Sequence, residues 1–172
     1  MITSIFNTVS FKTKGTIEEW NNVLERNKKD PFDYSYILKK VENLSLIEKI
    51  KYINTHWNTK RYTKDNINFK KQDKWLTPKE FNKWNGDCED FAIAKFFTLK
   101  ELGIENVKIL IGIKESINTP HAVCIVDINN TTYILDNLFK DVLSEYDYKD
   151  FSPNYSLDEN YKYIHVKARK SK

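Results

Sequence analysis

Residues 86–103 read GDCEDFAIAKFFTLKELG, and this stretch decides the fold. Asp87 is a residue type that caps helices, so Cys88 is predicted to occupy the first helical position. The residues from Cys88 to Leu102 are apolar nearly all round, which is typical of a helix buried on most sides. Gly103 stands where a left-handed glycine commonly ends a helix. The stretch therefore predicts a buried helix with a cysteine at its N-terminus.

Helical patterns also precede this stretch. Thr16 and Glu19 have the spacing of a capping box, which predicts a helix that ends before Asp30-Pro31. Apolar spacing predicts a second helix from about Ser45 to Trp57. Thr77-Pro78-Lys79-Glu80 predicts the start of a third helix, which must be short because an Asn-Gly pair follows it closely.

The residues after the buried helix alternate with a period of two. Val107–Ile113 is a predicted strand, and His121–Ile128 and Thr131–Leu138 are two more. Asn129-Asn130 joins the last two as a hairpin, because asparagine tolerates the positive φ of a tight turn. A last strand is predicted at Tyr161–Ala168. Helices followed by an antiparallel sheet predict an α+β fold.

Length and composition describe one globular domain. The chain has 172 residues, so we predict a single domain over residues 1–172, with its core at about 45–168. Hydrophobic residues are 40% and aromatic residues 14%, which excludes a disordered chain. No apolar run approaches the roughly 18 residues of a membrane span. Residues 169–172 are expected to form a flexible tail, and the polar residues 58–75 a loop.

The charge balance identifies no partner. The net charge is +4, with basic residues spread along the chain, so we expect no nucleic-acid partner. The N-terminal residues MITSIFNTVSFKTKG lack the charged and apolar regions of a signal peptide.

Two cysteines, Cys88 and Cys124, are too few for a disulfide framework. At the first position of a helix, Cys88 meets free backbone N–H groups and the positive end of the helix dipole, which favour a thiolate. The same N–H groups could receive an oxyanion. A helix-start cysteine considered alone is still more often a buried structural residue.

The predicted hairpin supplies a base for the thiol. With Asn129-Asn130 as a two-residue turn, His121 and Asp136 are diagonal neighbours on one face of the sheet. A turn shifted back by one residue puts them directly opposite, whereas a three-residue turn puts them on opposite faces. If the helix packs against this sheet, Cys88 can join them in a Cys-His-Asp triad. Cys124 points to the other face, and we predict that it is a core thiol.

Three carboxylates surround the same thiol, those of Asp87, Glu89 and Asp90. Acidic residues in a first turn often do no more than cap the helix and complement its dipole. Their charge also raises the pKa of a neighbouring thiol, and a bound hard cation would cancel that effect. Calcium takes about 6–8 oxygen ligands, so these residues allow a calcium site, although they lack EF-hand spacing.

The run Gly86-Asp-Cys-Glu-Asp-Phe-Ala-Ile-Ala-Lys-Phe-Phe97 resembles the bacterial transglutaminase-like cysteine proteinases of the LapG type. The similarity covers about residues 50–140 and, more weakly, the rest of the chain. Its other matching segments are Trp75–Phe81, Leu102-Gly103, His121–Val123 and Ile134–Leu138. The resemblance implies a papain-like, transglutaminase-core fold, in which N-terminal helices and the cysteine-bearing helix pack on an antiparallel sheet.

The resemblance also implies the roles of the site residues. The implied catalytic triad is Cys88, His121 and Asp136. The implied calcium ligands are Asp87 and Glu89, with Asp90 as a further candidate.

By the same resemblance, the protein is expected to be a calcium-dependent endopeptidase of the periplasm. Such enzymes cut a large, repeat-rich adhesin near its N-terminus, at paired alanines, which releases the adhesin and promotes biofilm dispersal. The periplasmic domain of an inner-membrane receptor for cyclic di-GMP inhibits them.

Two other functions fit the same residues. A Cys-His-Asp triad also serves a transglutaminase-like acyl transferase or amidase, since an acyl-enzyme can react with an amine or with water. A catalytically silent, calcium-dependent binding module would keep the scaffold without the reaction.

Overall fold

The computed structural model describes residues 6–64 and 74–168. The predicted tail at 169–172 and half of the predicted polar loop lie outside these ranges. In the described chain, five α-helices lie between the first strand and the other six: α1 (Glu18–Lys29), α2 (Ser35–Val41), α3 (Leu46–Asn58), α4 (Pro78–Trp84) and α5 (Cys88–Glu101). The strands are β1 (Thr8–Lys12), β2 (Val107–Lys114), β3 (Thr119–Ile128), β4 (Thr131–Leu135), β5 (Leu143–Ser144), β6 (Phe151–Leu157) and β7 (Lys162–Lys167). The predicted α+β class is confirmed.

The capping residues set where the predicted helices begin. Ser45 and Glu48 form a capping box at α3, and Thr77 and Glu80 form another at α4. The helix predicted after Thr16 exists as α1, but its predicted capping box is wrong. The α1 N-cap is Ile17, with no side-chain cap, and the Thr16 hydroxyl bonds to the Asn21 side chain instead.

The described strands form one antiparallel sheet of seven strands, in the order β1-β7-β6-β2-β3-β4-β5. In the β3–β4 hairpin, Ile128 pairs with Thr131 and Cys124 with Leu135, so the predicted two-residue turn is confirmed. Asn129 and Asn130 have φ values of 50° and 62°, as such a turn requires. Strand β4 ends at Leu135, whereas the alternation predicted it to continue to residue 138.

The helices cover one face of the sheet, and this contact contains the larger core. Helix α5 is buried on most sides, as predicted, and its apolar residues pack with the large side chains Trp20 and Trp57 from α1 and α3. A smaller cluster on the opposite face has Val123 and Tyr148 among its members. No helix within residues 6–64 and 74–168 has the length and apolarity needed to cross a membrane.

Candidate active site

Close packing before Cys88 holds the start of α5. Asn85 adopts a left-handed φ of 61°, which ends α4 and turns the chain into Gly86. A Cβ on Gly86 would stand 2.0 Å from Oδ2 of Asp90, so only glycine fits there. The Asp90 carboxylate accepts the backbone N–H of Leu76 at 2.8 Å and that of Asp87 at 3.0 Å. These bonds fix the position of the first turn of α5.

The structure places Cys88 at the first position of α5, as predicted, and its thiol is partly exposed. The thiol donates to Oε2 of Glu89 at 3.1 Å. Burial raises the pKa of Cys88, and the Glu89 charge and hydrogen bond raise it further. A hydrogen bond from the Ala122 backbone N–H lowers it, but by less. The helix dipole therefore does not by itself make Cys88 a thiolate in this environment.

His121 and Asp136 are in direct contact. Nε2 of His121 lies 2.8 Å from Oδ1 of Asp136, and the two side chains are only 7% and 1% exposed. Burial opposes ionisation of Asp136, but hydrogen bonds from His121, Leu138 and Tyr148 hold its pKa below the ordinary value. An ionised carboxylate can only accept, so Nε2 carries the proton. Nδ1 of a neutral His121 therefore has the free lone pair.

Of the three predicted triad residues, Cys88 and His121 line one cleft, and Asp136 contacts His121. His121 shares the strand parity of Val123, which lies in the smaller cluster on the face away from α5. Cys124 lies in the main core on the helix face, is fully buried, and its pKa is raised to about 12 by burial. The thiol of Cys88 reaches β3 at the Ala122 backbone, next to His121. The prediction that Cys124 faces away from His121 is confirmed.

A cleft of about 340 Å³ opens where these residues meet. Cys88 and His121 both line it, together with a rim of mostly apolar side chains, and its other lining residues are Tyr62, Lys114, Ile117, Thr119, Pro120, Asn137 and Leu138. The segment that carries Tyr62 is held against the start of α5, because the Thr63 N–H donates to the Gly86 carbonyl at 2.7 Å. An extended peptide could therefore present a carbonyl to the thiol from solvent.

The acidic residues around Cys88 are not equivalent. Asp90 is fully buried, and each of its oxygens accepts a backbone N–H. Asp87 and Glu89 are partly exposed and flank the thiol, so their oxygens fit a hard cation. Within the described parts of the chain, no three His, Cys, Asp or Glu side chains already stand together as a metal site. Backbone carbonyls and water would have to complete a calcium site on these two carboxylates.

Three residues near the site had no signal in the sequence. Tyr148, in the segment between β5 and β6, donates its hydroxyl to Oδ2 of Asp136 at 2.8 Å. Asn58, at the end of α3, donates to the main-chain carbonyl of Asp136 at 3.0 Å. Lys95 is fully buried in α5, where burial lowers its pKa to about 7 and the nearby Asp136 charge opposes that shift. Each contact joins residues far apart along the chain, so local patterns do not reveal it.

Comparison with solved structures finds the same fold in three structures of a bacterial protein. Legionella pneumophila LapG superposes with a TM-score of 0.68 at 24% identity, over 86% of each chain. Its calcium-bound form gives a TM-score of 0.69, at 24% identity, over 88% of this chain and 90% of that one. An EGTA-treated form matches with a TM-score of 0.68, at 24% identity, over 86% and 83% of the two chains. At this identity the likeness establishes the fold.

Sequence comparison identifies the family. No curated protein sequence matches the chain significantly. The family model described as "Bacterial transglutaminase-like cysteine proteinase BTLCP" matches residues 17–171, which include the helix start at Cys88 and the whole sheet from β2 to β7. The chain belongs to the bacterial transglutaminase-like cysteine proteinase family.

Proposed function

We propose that this protein is a cysteine endopeptidase in which Cys88 is the nucleophile, His121 the base and Asp136 the residue that orients the base. The observation that carries the proposal is the buried 2.8 Å contact between His121 and Asp136, beside the cleft that Cys88 lines. Membership of a cysteine proteinase family supports the reaction class.

The proposed reaction follows from the tautomer of His121. Nδ1 takes the thiol proton, and the resulting imidazolium is stabilised by Asp136 through Nε2. The thiolate sulfur then bonds to the carbonyl carbon of the peptide, whose oxygen becomes an oxyanion. The first backbone N–H groups of α5, beside Cys88, are suited to receive that charge. The imidazolium protonates the leaving amine, and a water molecule, deprotonated by the same imidazole, hydrolyses the thioester.

We also propose calcium dependence, with Asp87 and Glu89 as the protein ligands. Calcium bound there would offset the negative charge that raises the pKa of Cys88. The Glu89 carboxylate would then coordinate the cation, and its hydrogen bond from the Cys88 thiol would weaken. Asp90 is not among the proposed calcium ligands, because each of its buried oxygens already accepts a hydrogen bond from a backbone N–H. The calcium-bound and EGTA-treated forms of Legionella LapG support this proposal.

The proposed substrate is a large, repeat-rich surface adhesin, cut near its N-terminus at paired alanines. The cleft rim suits an extended segment with small side chains, because Tyr62, Ile117 and Leu138 leave only about 340 Å³. A periplasmic location, a role in biofilm dispersal and inhibition by the periplasmic domain of a cyclic di-GMP receptor are the remaining parts of the proposal. These parts come from the family resemblance.

The test is cleavage of adhesin N-terminal fragments that contain paired alanines. The wild-type protein should cut them with calcium present and lose activity in EGTA, and added calcium should restore it. Cys88→Ala should abolish cleavage, whereas Cys124→Ala, the matched control at the core thiol, should retain it. Persistent cleavage by the Cys88 variant would refute the proposal.

Two further results test the calcium dependence and the reaction type separately. If EGTA leaves cleavage unchanged, Asp87 and Glu89 are capping residues only. If an added amine is incorporated into the product in place of a new carboxylate, the enzyme is an acyl transferase rather than an endopeptidase.

A further inference from the structure

Tyr148 is built into the site from a segment without regular structure. Its side chain is 5% exposed, and its ring packs against Phe6, Phe139 and Phe151 with centroid distances of 5.5–5.9 Å. Burial and the neighbouring Asp136 charge raise the pKa of the phenol. The phenol therefore keeps its proton at neutral pH and acts as a donor.

Each oxygen of the Asp136 carboxylate accepts hydrogen bonds from different donors. Oδ1 accepts from Nε2 of His121 at 2.8 Å and from the Leu138 N–H at 3.0 Å. Oδ2 accepts from the Tyr148 hydroxyl at 2.8 Å. In the described part of the chain, Tyr148 is the group that satisfies Oδ2, which is buried and costly to leave unpaired.

The orientation of His121 depends on this arrangement. Asp136 lies just beyond the end of β4, so the sheet ladder does not fix its side chain. Without the phenol, the carboxylate could rotate about its χ2 bond to seek another donor, because terminal sp³–sp² torsions are soft. Rotation would move Oδ1 away from Nε2 and release the imidazole, which lines the cleft together with Cys88.

We propose that Tyr148 is a positioning residue, whose hydroxyl fixes the Asp136 carboxylate and thereby holds His121 in the orientation that activates Cys88. This inference rests on the proposed function for its meaning in catalysis. Tyr148 does not contact the reacting atoms; it acts through Asp136.

The test uses Tyr148→Phe, which removes the hydroxyl and keeps the ring. Tyr146→Phe is the matched control, because Tyr146 lies two residues earlier and is 66% exposed. Two rates are measured at fixed pH and calcium concentration: alkylation of Cys88 by iodoacetamide, with Cys88 labelling identified by mass spectrometry, and peptide cleavage. A hydrogen bond to a charged group predicts a loss of about tenfold in the alkylation rate and in kcat, with KM little changed. The control should change neither rate.

A double-mutant cycle separates positioning from a general structural effect. In an Asp136→Asn background, Tyr148→Phe should cause no further loss of alkylation rate, because the group through which it acts is already changed. Equal losses in both backgrounds, or a single-variant loss below twofold, would overturn the proposal.

The two hypotheses fail in different ways. If the wild type cleaves no peptide but Cys88 alkylation still depends on Tyr148, the endopeptidase proposal fails and the positioning role stands. If the wild type cleaves and neither rate depends on Tyr148, only the positioning role fails.

A second measurement applies if Tyr148→Phe does not fold. Tyr148 is replaced by 3-fluorotyrosine, which keeps the ring and the donor but makes the phenol more acidic. The Nε2 proton of His121, observed by NMR, should then shift because its Asp136 acceptor has changed. An unmoved proton resonance would overturn the proposal.

Discussion

Lowering the pH should destabilise the fold through His165, a buried histidine far from the cleft. It lies on β7 with 8% exposure, where Nε2 is 2.9 Å from the Ser156 hydroxyl and Nδ1 is 3.4 Å from that of Thr8. Burial, and then the positive charge of Lys108, lower its pKa to about 4. The ring therefore joins β6, β7 and β1 in its neutral form.

The direction and size of this pH effect follow from the pKa of His165 in the folded and in the unfolded chain. An unfolded histidine has a pKa of about 6.5, so unfolding takes up a proton between pH 6.5 and 4. The contribution of neutral His165 to the free energy of unfolding is fully present above pH 6.5. It is lost progressively as the pH falls toward 4. At pH 5 the two values give a loss of about 2 kcal/mol, and screening of the Lys108 charge by solvent reduces it to about 1–2 kcal/mol.

Urea unfolding at pH 7.5 and pH 5 measures this loss, with the fluorescence of the buried Trp20 and Trp57 as the signal. His165→Gln is the comparison variant, because glutamine keeps a donor and an acceptor but does not titrate. The pKa of His56 is also lowered, by burial and Lys60, so both proteins should lose some stability. The wild type should lose about 1–2 kcal/mol more than the variant. Equal losses would refute the reasoning.

Three other substitutions test the packing around the site. Gly86→Ala should lower the free energy of unfolding by about 2–4 kcal/mol, because the new Cβ displaces the Asp90 carboxylate from its backbone partners; an unchanged thermal midpoint contradicts this. Lys95→Met should raise the free energy of unfolding at pH 7 by about 2 kcal/mol, since the buried Nζ of Lys95 has no hydrogen-bond partner among the described residues; a decrease in urea unfolding experiments contradicts it. Asn58→Ala should slow peptide cleavage about fivefold by freeing the Asp136 main chain, and an unchanged kcat would show that this contact is dispensable.

The sequence predicted best where short-range rules apply. The α5 start depends on Gly86 and Asp87 beside Cys88, and the hairpin depends on two asparagines that accept positive φ. Both signals lie within a few residues of the structure that they determine. That is why the contact of His121 with Asp136 could be predicted from strand parity.

Elements that depend on distant partners were not predicted. Strand β1 is short and exists through pairing with β7, some 150 residues later, as in Thr8 with Lys167. Strand β6 contains Pro153, which argues against a strand by local rules, but a bulge in β6, opposite Ile111 and Gly112, accommodates it. Helix α2 has only seven residues, and the side chain of its N-cap residue, Tyr34, does not cap it.

At the site, too, local sequence predicted some contacts, whereas others depend on distant partners. Strand parity placed His121 beside Asp136, but it could not show that the thiol approaches at the Ala122 backbone, which depends on how α5 docks on the sheet. The early end of β4 has a tertiary cause as well. Asn54 and Asn58 both donate to the Phe139 carbonyl, and these bonds draw the chain out of the ladder after Leu135.

The pairing of β1 with β7 has a practical consequence for experiments on this protein. Thr8 lies on the edge strand β1 and its partner Lys167 on the neighbouring strand β7 of the described sheet, whereas the cleft opens at β3. Four strand spacings separate β1 from β3, which amounts to about 19 Å. An affinity handle or a surface tether attached near either residue should therefore leave the cleft open to a protein-sized substrate.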